Sequence, residues 1–254
     1  MEKSEHWADN LLMYHKKSPK KFLESFKKAL SFFPELRDVY VYICETKFYG
    51  VQHTLRAYPP LVTLHWPKSA WVYPITINKN KNINISFSDL SDDQQIGYLV
   101  HELSHIFTYQ NFSRKDILLF SLKYAYDKKF VRSIEEDTDL EAIARGAGAY
   151  LLSGRIFSST YRKSKPYRET EDTYVSSDYL FENLKKYPEF YSLDIIEDCA
   201  SKLEEKKELD KSRYSIQNIS FTQKLRHSIK TIFAFFPGFF GMFYSITLKK
   251  RHFK

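Results

Sequence analysis

The period of the apolar positions changes twice along this chain. Residues 18–33 carry Phe22, Leu23, Phe26, Leu30 and Phe33 at spacings that place them on one stripe. That pattern predicts an amphipathic helix with Ser18 as N-cap, Pro19 at its first position and Pro34 as its stop. Asp38–Thr46 then alternates β-branched or aromatic with polar residues, and Ile75–Phe87 alternates around an Asn- and Lys-rich tip at 78–82. These predict a strand and a hairpin. Between them Pro59, Pro60, Trp66, Pro67, Trp71 and Tyr73 predict extended, partly irregular chain. From Ser91 the period lengthens again: Ile96, Leu99, Val100, Leu103 and Phe107 form one stripe, and Ser91 with Gln94 matches a capping box, so a helix is expected. A second helical stretch is expected over 116–152, broken near Lys128 and Lys129, with one or two further helices after Ser177 and around Ile195–Leu209. No internal repeat is present.

The motif helix contains His101-Glu102-Leu103-Ser104-His105, an HExxH pentapeptide. One helical turn separates the histidines, so both imidazoles leave the same face and can share one tetrahedral metal. Nitrogen ligands suit Zn2+, which lowers the pKa of a bound water towards about 7, and Glu102 is placed to take that water's proton. The bland alternative is a helix that happens to hold two histidines and a glutamate; the capping box and correctly phased apolar stripe around the motif argue against it. A catalytic zinc needs a third protein ligand and an open fourth position. Residues 133–141 hold the densest acidic cluster of the chain, and within it Glu135 and Asp139 again stand one turn apart. Ala142, Gly146 and Ala149 continue that face as a row of small residues, which predicts close packing against a neighbouring helix.

HExxH followed by a downstream ExxxD helix resembles the gluzincin branch of zinc metallopeptidases, over about 65 residues from Ser88 to Leu152. The stretch Thr138-Asp139 followed by Ile143-Ala144-Arg145-Gly146-Ala147-Gly148 is also similar to a set of uncharacterised bacterial HExxH proteins. The resemblance implies His101, His105 and Glu135 as zinc ligands, Glu102 as general base and Asp139 as an acceptor orienting a ligand histidine. It further implies an α+β fold, a zincin-like domain with a small mixed sheet, the motif helix and a second ligand helix, in which the 75–87 hairpin offers an edge strand to an extended peptide or protein substrate. Glu136, Asp137 and Glu141 stand beside Glu135 as alternative carboxylates. No cationic or phenolic group for the oxyanion is assigned by the sequence; Tyr109, one turn beyond His105, and Tyr124 are the candidates among 19 tyrosines. His53, His65 and His227 read as surface or core histidines.

Composition changes this picture mainly at the carboxyl end. The 254 residues are 43% hydrophobic and 28% charged with 7 Gly, 9 Pro and 2 Cys, which excludes collagen-like, low-complexity and disulfide-stapled classes. Cys44 and Cys199 sit in no metal or redox spacing, and the amino terminus lacks the apolar run of a secretory signal, so a cytoplasmic body is expected. The formal net charge of +8 resides in the tail: the last 44 residues hold nine cations and no acid, leaving residues 1–210 at −1. Thr231–Leu248 is an uncharged run of 18 residues between Lys230 and Lys249-Lys250-Arg251; as a helix it would reach about 27 Å, the lower limit for a bilayer. The competing reading is a hydrophobic tail docked on the body. Cations flanking a Phe-rich run favour a membrane surface over nucleic acid, which is not expected as a partner. The organisation that follows is a catalytic domain over 1–160, a polar helical extension over 161–222 and a basic hydrophobic tail over 223–254, tethering the chain to a membrane. A zinc-binding zincin-like protein with a regulatory role is the alternative to a peptidase.

Overall fold

A computed structural model describes residues 22–47, 54–80, 85–162 and 175–213. The first described helix, α1 (Leu23–Ser31), follows Phe22 and buries Phe26, Ala29 and Leu30; the expected Ser18 and Pro19 start lies outside the described residues. Pro34 opens a short 3-10 turn, Pro34–Leu36, that leads into the sheet. Strand β1 (Tyr40–Thr46) is the strand expected at 38–46. Two more strands follow, β2 (Leu55–Ala57) and β3 (Val72–Asn78).

The sheet has the order β1-β3-β2. β1 runs parallel to β3 with Ile43 opposite Ile75, and β2 runs antiparallel to β3 with Arg56 opposite Thr76. This corrects the expected 75–87 hairpin. The strand begins at Val72, and both of its edges are taken by β1 and β2, so no edge of β3 is left for a return strand. Ile85 and Phe87 are instead buried in the core, and Phe87–Asp89 forms a 3-10 turn whose start is capped by the Ser86 hydroxyl. The alternation in this stretch reflects core anchoring, not strand pairing.

Seven α-helices are described. The motif helix α2 (Asp92–Gln110) begins at Ser91 with both halves of the capping box formed. Helix α3 (Arg114–Tyr126) has a second capping box, Ser113 with Asp116. Asp127 ends it in an extended conformation and caps the next helix, α4 (Lys128–Ala144), by accepting from the Lys129 and Phe130 amides. The break expected near Lys128 is this residue. A further break was not expected: Gly146 has φ 81, in the left-handed region that glycine enters without a Cβ clash. The Gly146 and Ala147 amides donate back to Ile143 and Ala142, a Schellman closure of α4. Ala142, Gly146 and Ala149 therefore do not form one continuous row, because α5 (Gly148–Arg162) starts afresh beyond the turn.

Helices α6 (Ser177–Leu184) and α7 (Leu193–Arg213) occupy the segments where one or two helices were expected. Leu180, Leu184, Cys199 and Leu203 join the same hydrophobic cluster as the sheet and α2. Tyr191 accepts from the Gly148 amide and donates to the Ile143 carbonyl, which ties the α4–α5 turn to this layer. The protein is thus mixed α+β, with a small three-stranded mixed sheet. Helix α2 runs through its middle and is in contact with α1, α4, α5 and β2. Among the described residues no helix is long and apolar enough to cross a membrane, and Thr231–Leu248 lies outside them.

Candidate metal centre

Because α2 is enclosed by neighbours, its polar motif is buried along with its apolar stripe: His101, Glu102, Ser104 and His105 are all buried. Helix α4 crosses it and brings Glu135, Thr138 and Asp139, also buried, to the same place. The side chains of His101, His105 and Glu135 each offer a ligand atom within 4.8 Å of the others. Glu135 Oε2 lies 3.1 Å from His101 Nε2, and Glu135 Oε1 lies 3.6 Å from His105 Nε2. Ligand atoms about 2.0–2.1 Å from a tetrahedral metal stand about 3.4 Å apart, so these two separations bracket the required edge.

The hydrogen bonds behind the histidines fix which nitrogen faces the cluster. Asp139 Oδ1 is 2.7 Å from His101 Nδ1, and a carboxylate only accepts, so Nδ1 carries hydrogen. Thr138 Oγ1 donates to the Ile134 carbonyl at 2.6 Å and lies 3.2 Å from His105 Nδ1. With its one hydrogen committed, that hydroxyl accepts, so His105 Nδ1 carries hydrogen too. In the neutral rings both Nε2 lone pairs then point at the Glu135 carboxylate. Tyr124 donates to Glu135 Oε1 at 2.5 Å, while in this neutral form of the rings Glu135 Oε2 is a buried oxygen with no hydrogen-bond partner. Convergent lone pairs around an unsatisfied buried carboxylate oxygen are what a bound cation relieves, so this donor set fits a metal ion.

Electrostatics separates the two histidines. Burial opposes protonation of His101, but Asp139 and Glu135 on either side outweigh it and push its pKa up to about 10. At His105 burial, with His101 and Arg56 beside it, outweighs the attraction of Glu135 and holds the pKa down to about 4. Burial also works against the Glu135 charge, yet His105 and His101 hold it well below the usual carboxylate range. A proton on His101 Nε2 would place a donor 3.1 Å from Glu135 Oε2. Asp139 is in turn held by Arg155 of α5, whose Nη2 lies 3.0 and 2.7 Å from its two oxygens.

No family model matches the chain, and no curated protein or solved structure shows significant similarity to it.

The cleft is lined by His101, Glu102, His105 and Glu135 together with Arg56, Tyr58, Tyr109 and Tyr124. Glu102 accepts a hydrogen bond from the Ala57 amide of β2, and burial raises its pKa. Tyr58 N donates to Pro74 O and Thr54 O accepts from Asn78 N, so these alternate residues face β3 while Ala57 faces the cleft. The strand edge beside the motif helix is accordingly β2, not a hairpin after β3. Tyr109 lies with its ring nearly parallel to His105, centroids 6.1 Å apart, and burial raises its pKa. Tyr124 is engaged with Glu135. Glu136 bonds to Tyr179 of α6, Glu141 pairs with Arg145 and Asp137 is exposed, so Glu135 is the carboxylate that meets the histidines. His65 is exposed against the Trp66 ring; His53 and His227 lie outside the described residues.

Sequence reasoning missed three functional positions. Thr138 was seen only as part of a motif, and Arg155 carried no signal, since its partner Asp139 lies across a helix turn whose geometry was unknown. Arg56 was not singled out either: its guanidinium stands over the Tyr58 and Tyr124 rings at 5.4 and 5.5 Å and lines the cleft. Only a folded sheet brings β2 over α2.

Proposed function

We propose that this protein is a zinc-dependent peptidase of zincin-like architecture, hydrolysing peptide bonds in a peptide or protein substrate. The observation that carries the reading is the convergence of two Nε2 lone pairs and the Glu135 carboxylate beside Glu102 in one cleft. His101, His105 and Glu135 would hold the zinc, with Asp139 and Thr138 fixing the histidine tautomers. When bound, zinc supplies Lewis acidity, activating a water near neutral pH and polarising a carbonyl oxygen.

The chain's own groups supply the rest. Glu102, with its pKa raised by burial, accepts the proton of the attacking water and delivers it to the leaving nitrogen. The outward edge of β2 aligns an extended peptide through main-chain hydrogen bonds. Arg56, held at the cleft by two tyrosine rings, places a positive charge where negative charge develops on the carbonyl oxygen. Tyr109 shapes the wall behind His105, and Tyr124 positions Glu135. Association with a membrane through residues 231–248 belongs to the same proposal.

The test is metal content and peptide cleavage for the wild type and Glu102→Gln. Stoichiometric zinc in both with cleavage lost in the variant is the expected result. Absence of zinc from the wild type refutes the reading.

A further inference from the structure

Helix α3 is apolar on two opposite sides. Ile117 and Phe120 are buried against the body, while Leu118, Leu119, Leu122 and Tyr126 are 50%, 46%, 59% and 74% exposed. At 100° per residue these four fall within one arc on the side away from the core. A helix apolar all round is normally enclosed. This one presents its second face outward, as a ridge and not a groove, over a length of about 20 Å.

The charge around the ridge is equally unusual for this chain. Residues 1–210 sum to −1, yet between residues 113 and 133 six cations stand against two acids. Arg114, Lys115, Lys123, Lys128, Lys129 and Arg132 are all exposed. Both acids are engaged at helix starts, Asp116 with Ser113 and Asp127 with the Lys129 and Phe130 amides. The cations thus border an apolar ridge with little local compensation.

We propose that the outward face of α3 docks on an anionic lipid bilayer. Leucines at the centre enter the headgroup–acyl boundary and the bordering cations meet lipid phosphates and carboxylates. A convex, charge-rimmed ridge fits that interface, whereas a partner helix would require a groove to receive it. This surface is formed by residues 114–126 and does not depend on the chemistry of the cleft. Phe120, Ser121 and Tyr124 line the cleft from the opposite side of the same helix, so docking leaves α3 between the cleft and the bilayer.

The experiment is vesicle co-sedimentation of the full chain with phosphatidylcholine vesicles, with and without phosphatidylserine. Leu118→Gln/Leu122→Gln and Lys115→Glu/Lys123→Glu are compared with the wild type after matched thermal unfolding. Residues 231–248 are present in every sample and contribute equally. Binding to the phosphatidylserine vesicles should weaken about tenfold or more in each variant and fall with added salt. Failure of the wild type to bind, or equal binding by wild type and both variants, overturns the proposal. As a second readout, an environment-sensitive fluorophore on Leu122→Cys should shift to shorter wavelength with the anionic vesicles. An unchanged spectrum also overturns it, and because no readout involves zinc or cleavage, neither result bears on the peptidase reading.

Discussion

Replacing Gly97 by alanine tests whether α2 and α5 meet backbone to backbone, the contact that sets the ligand helix against its support. Gly97 lies one turn before His101, and a Cβ there would fall 2.1 Å from Tyr150 O, 2.6 Å from Tyr150 C and 3.0 Å from Leu151 N. Ordinary contact begins near 3.4 Å, so α5 must retreat by about an ångström, and no side chain can yield in its place. Overpacking of this kind costs typically about 1–3 kcal/mol, with rigid backbone at the upper end. Alanine returns about 1 kcal/mol of helix propensity, so Gly97→Ala should lose about 2 kcal/mol in urea unfolding. Gly154→Ala is the internal control, because its Cβ would meet the Tyr98 ring at 3.3 Å and Gln94 O at 3.5 Å. That side chain can give slightly, and the variant should be neutral or up to about 1 kcal/mol more stable. Retreat of α5 also draws Arg155 from Asp139, so zinc affinity in Gly97→Ala should fall about tenfold. A Gly97→Ala protein as stable as the wild type would refute the close crossing and the argument for how the site is held.

Other perturbations act on the site directly. Asp139→Asn keeps the shape but removes the charge facing His101 and Arg155, and should weaken zinc about 10–100-fold in chelator competition, as loss of an outer-shell acceptor does; unchanged affinity would show that Asp139 does not tune the ligand. Thr138→Val removes a neutral acceptor from His105 and should cost less than Asp139→Asn in the same titration, the reverse order contradicting the assignment. Arg56→Met should retain zinc while kcat falls about 10²–10³-fold, the scale of a lost oxyanion donor; an unaltered kcat excludes Arg56 from that role. Chelation should lower the thermal midpoint, since metal at a thousandfold excess over Kd stabilises by about 4 kcal/mol, and a midpoint insensitive to zinc would mean that the cluster binds none.

What was legible in the sequence was what one helical turn decides. His101 and His105, and likewise Glu135 and Asp139, share a face because four residues carry the helix about once round, and the capping box at Ser91 fixed where that helix starts. The strand at 40–46 was equally local. The sheet order was not, because the alternation after Ile75 reads the same whether a strand is central or half of a hairpin. Gly146 was misread for a related reason: a small residue on a projected helix face and a left-handed C-terminal glycine look alike in sequence. The close helix crossing in fact depends on Gly97, which no pattern of neighbouring residues singles out. Arg155 and Arg56 became visible only once α5 and β2 were placed.

Charge around the cleft bears on what occupies it. Glu102, Glu135 and Asp139 are 6%, 1% and 0% exposed, and Arg155 answers Asp139. Glu102 and Glu135 remain, with the Arg56 guanidinium favouring the charged form of Glu102, and leaving charge buried without compensation costs several kcal/mol. A proton on His101 answers one of them. A dication answers both, returns the histidines to their neutral ligand forms and satisfies Glu135 Oε2. The Ala57 amide donates to Glu102 and, with His101 and Arg56, favours its charged form against burial. On the proposed peptidase reading, an incoming peptide pairing with the β2 edge would compete for the same amide, so substrate pairing and release of Glu102 for proton transfer would become one event. Replacing the substrate amide whose carbonyl would accept from the Ala57 N–H by an ester, a weaker acceptor, should therefore lower kcat, and not merely raise KM. An effect confined to KM would separate pairing from the freeing of Glu102.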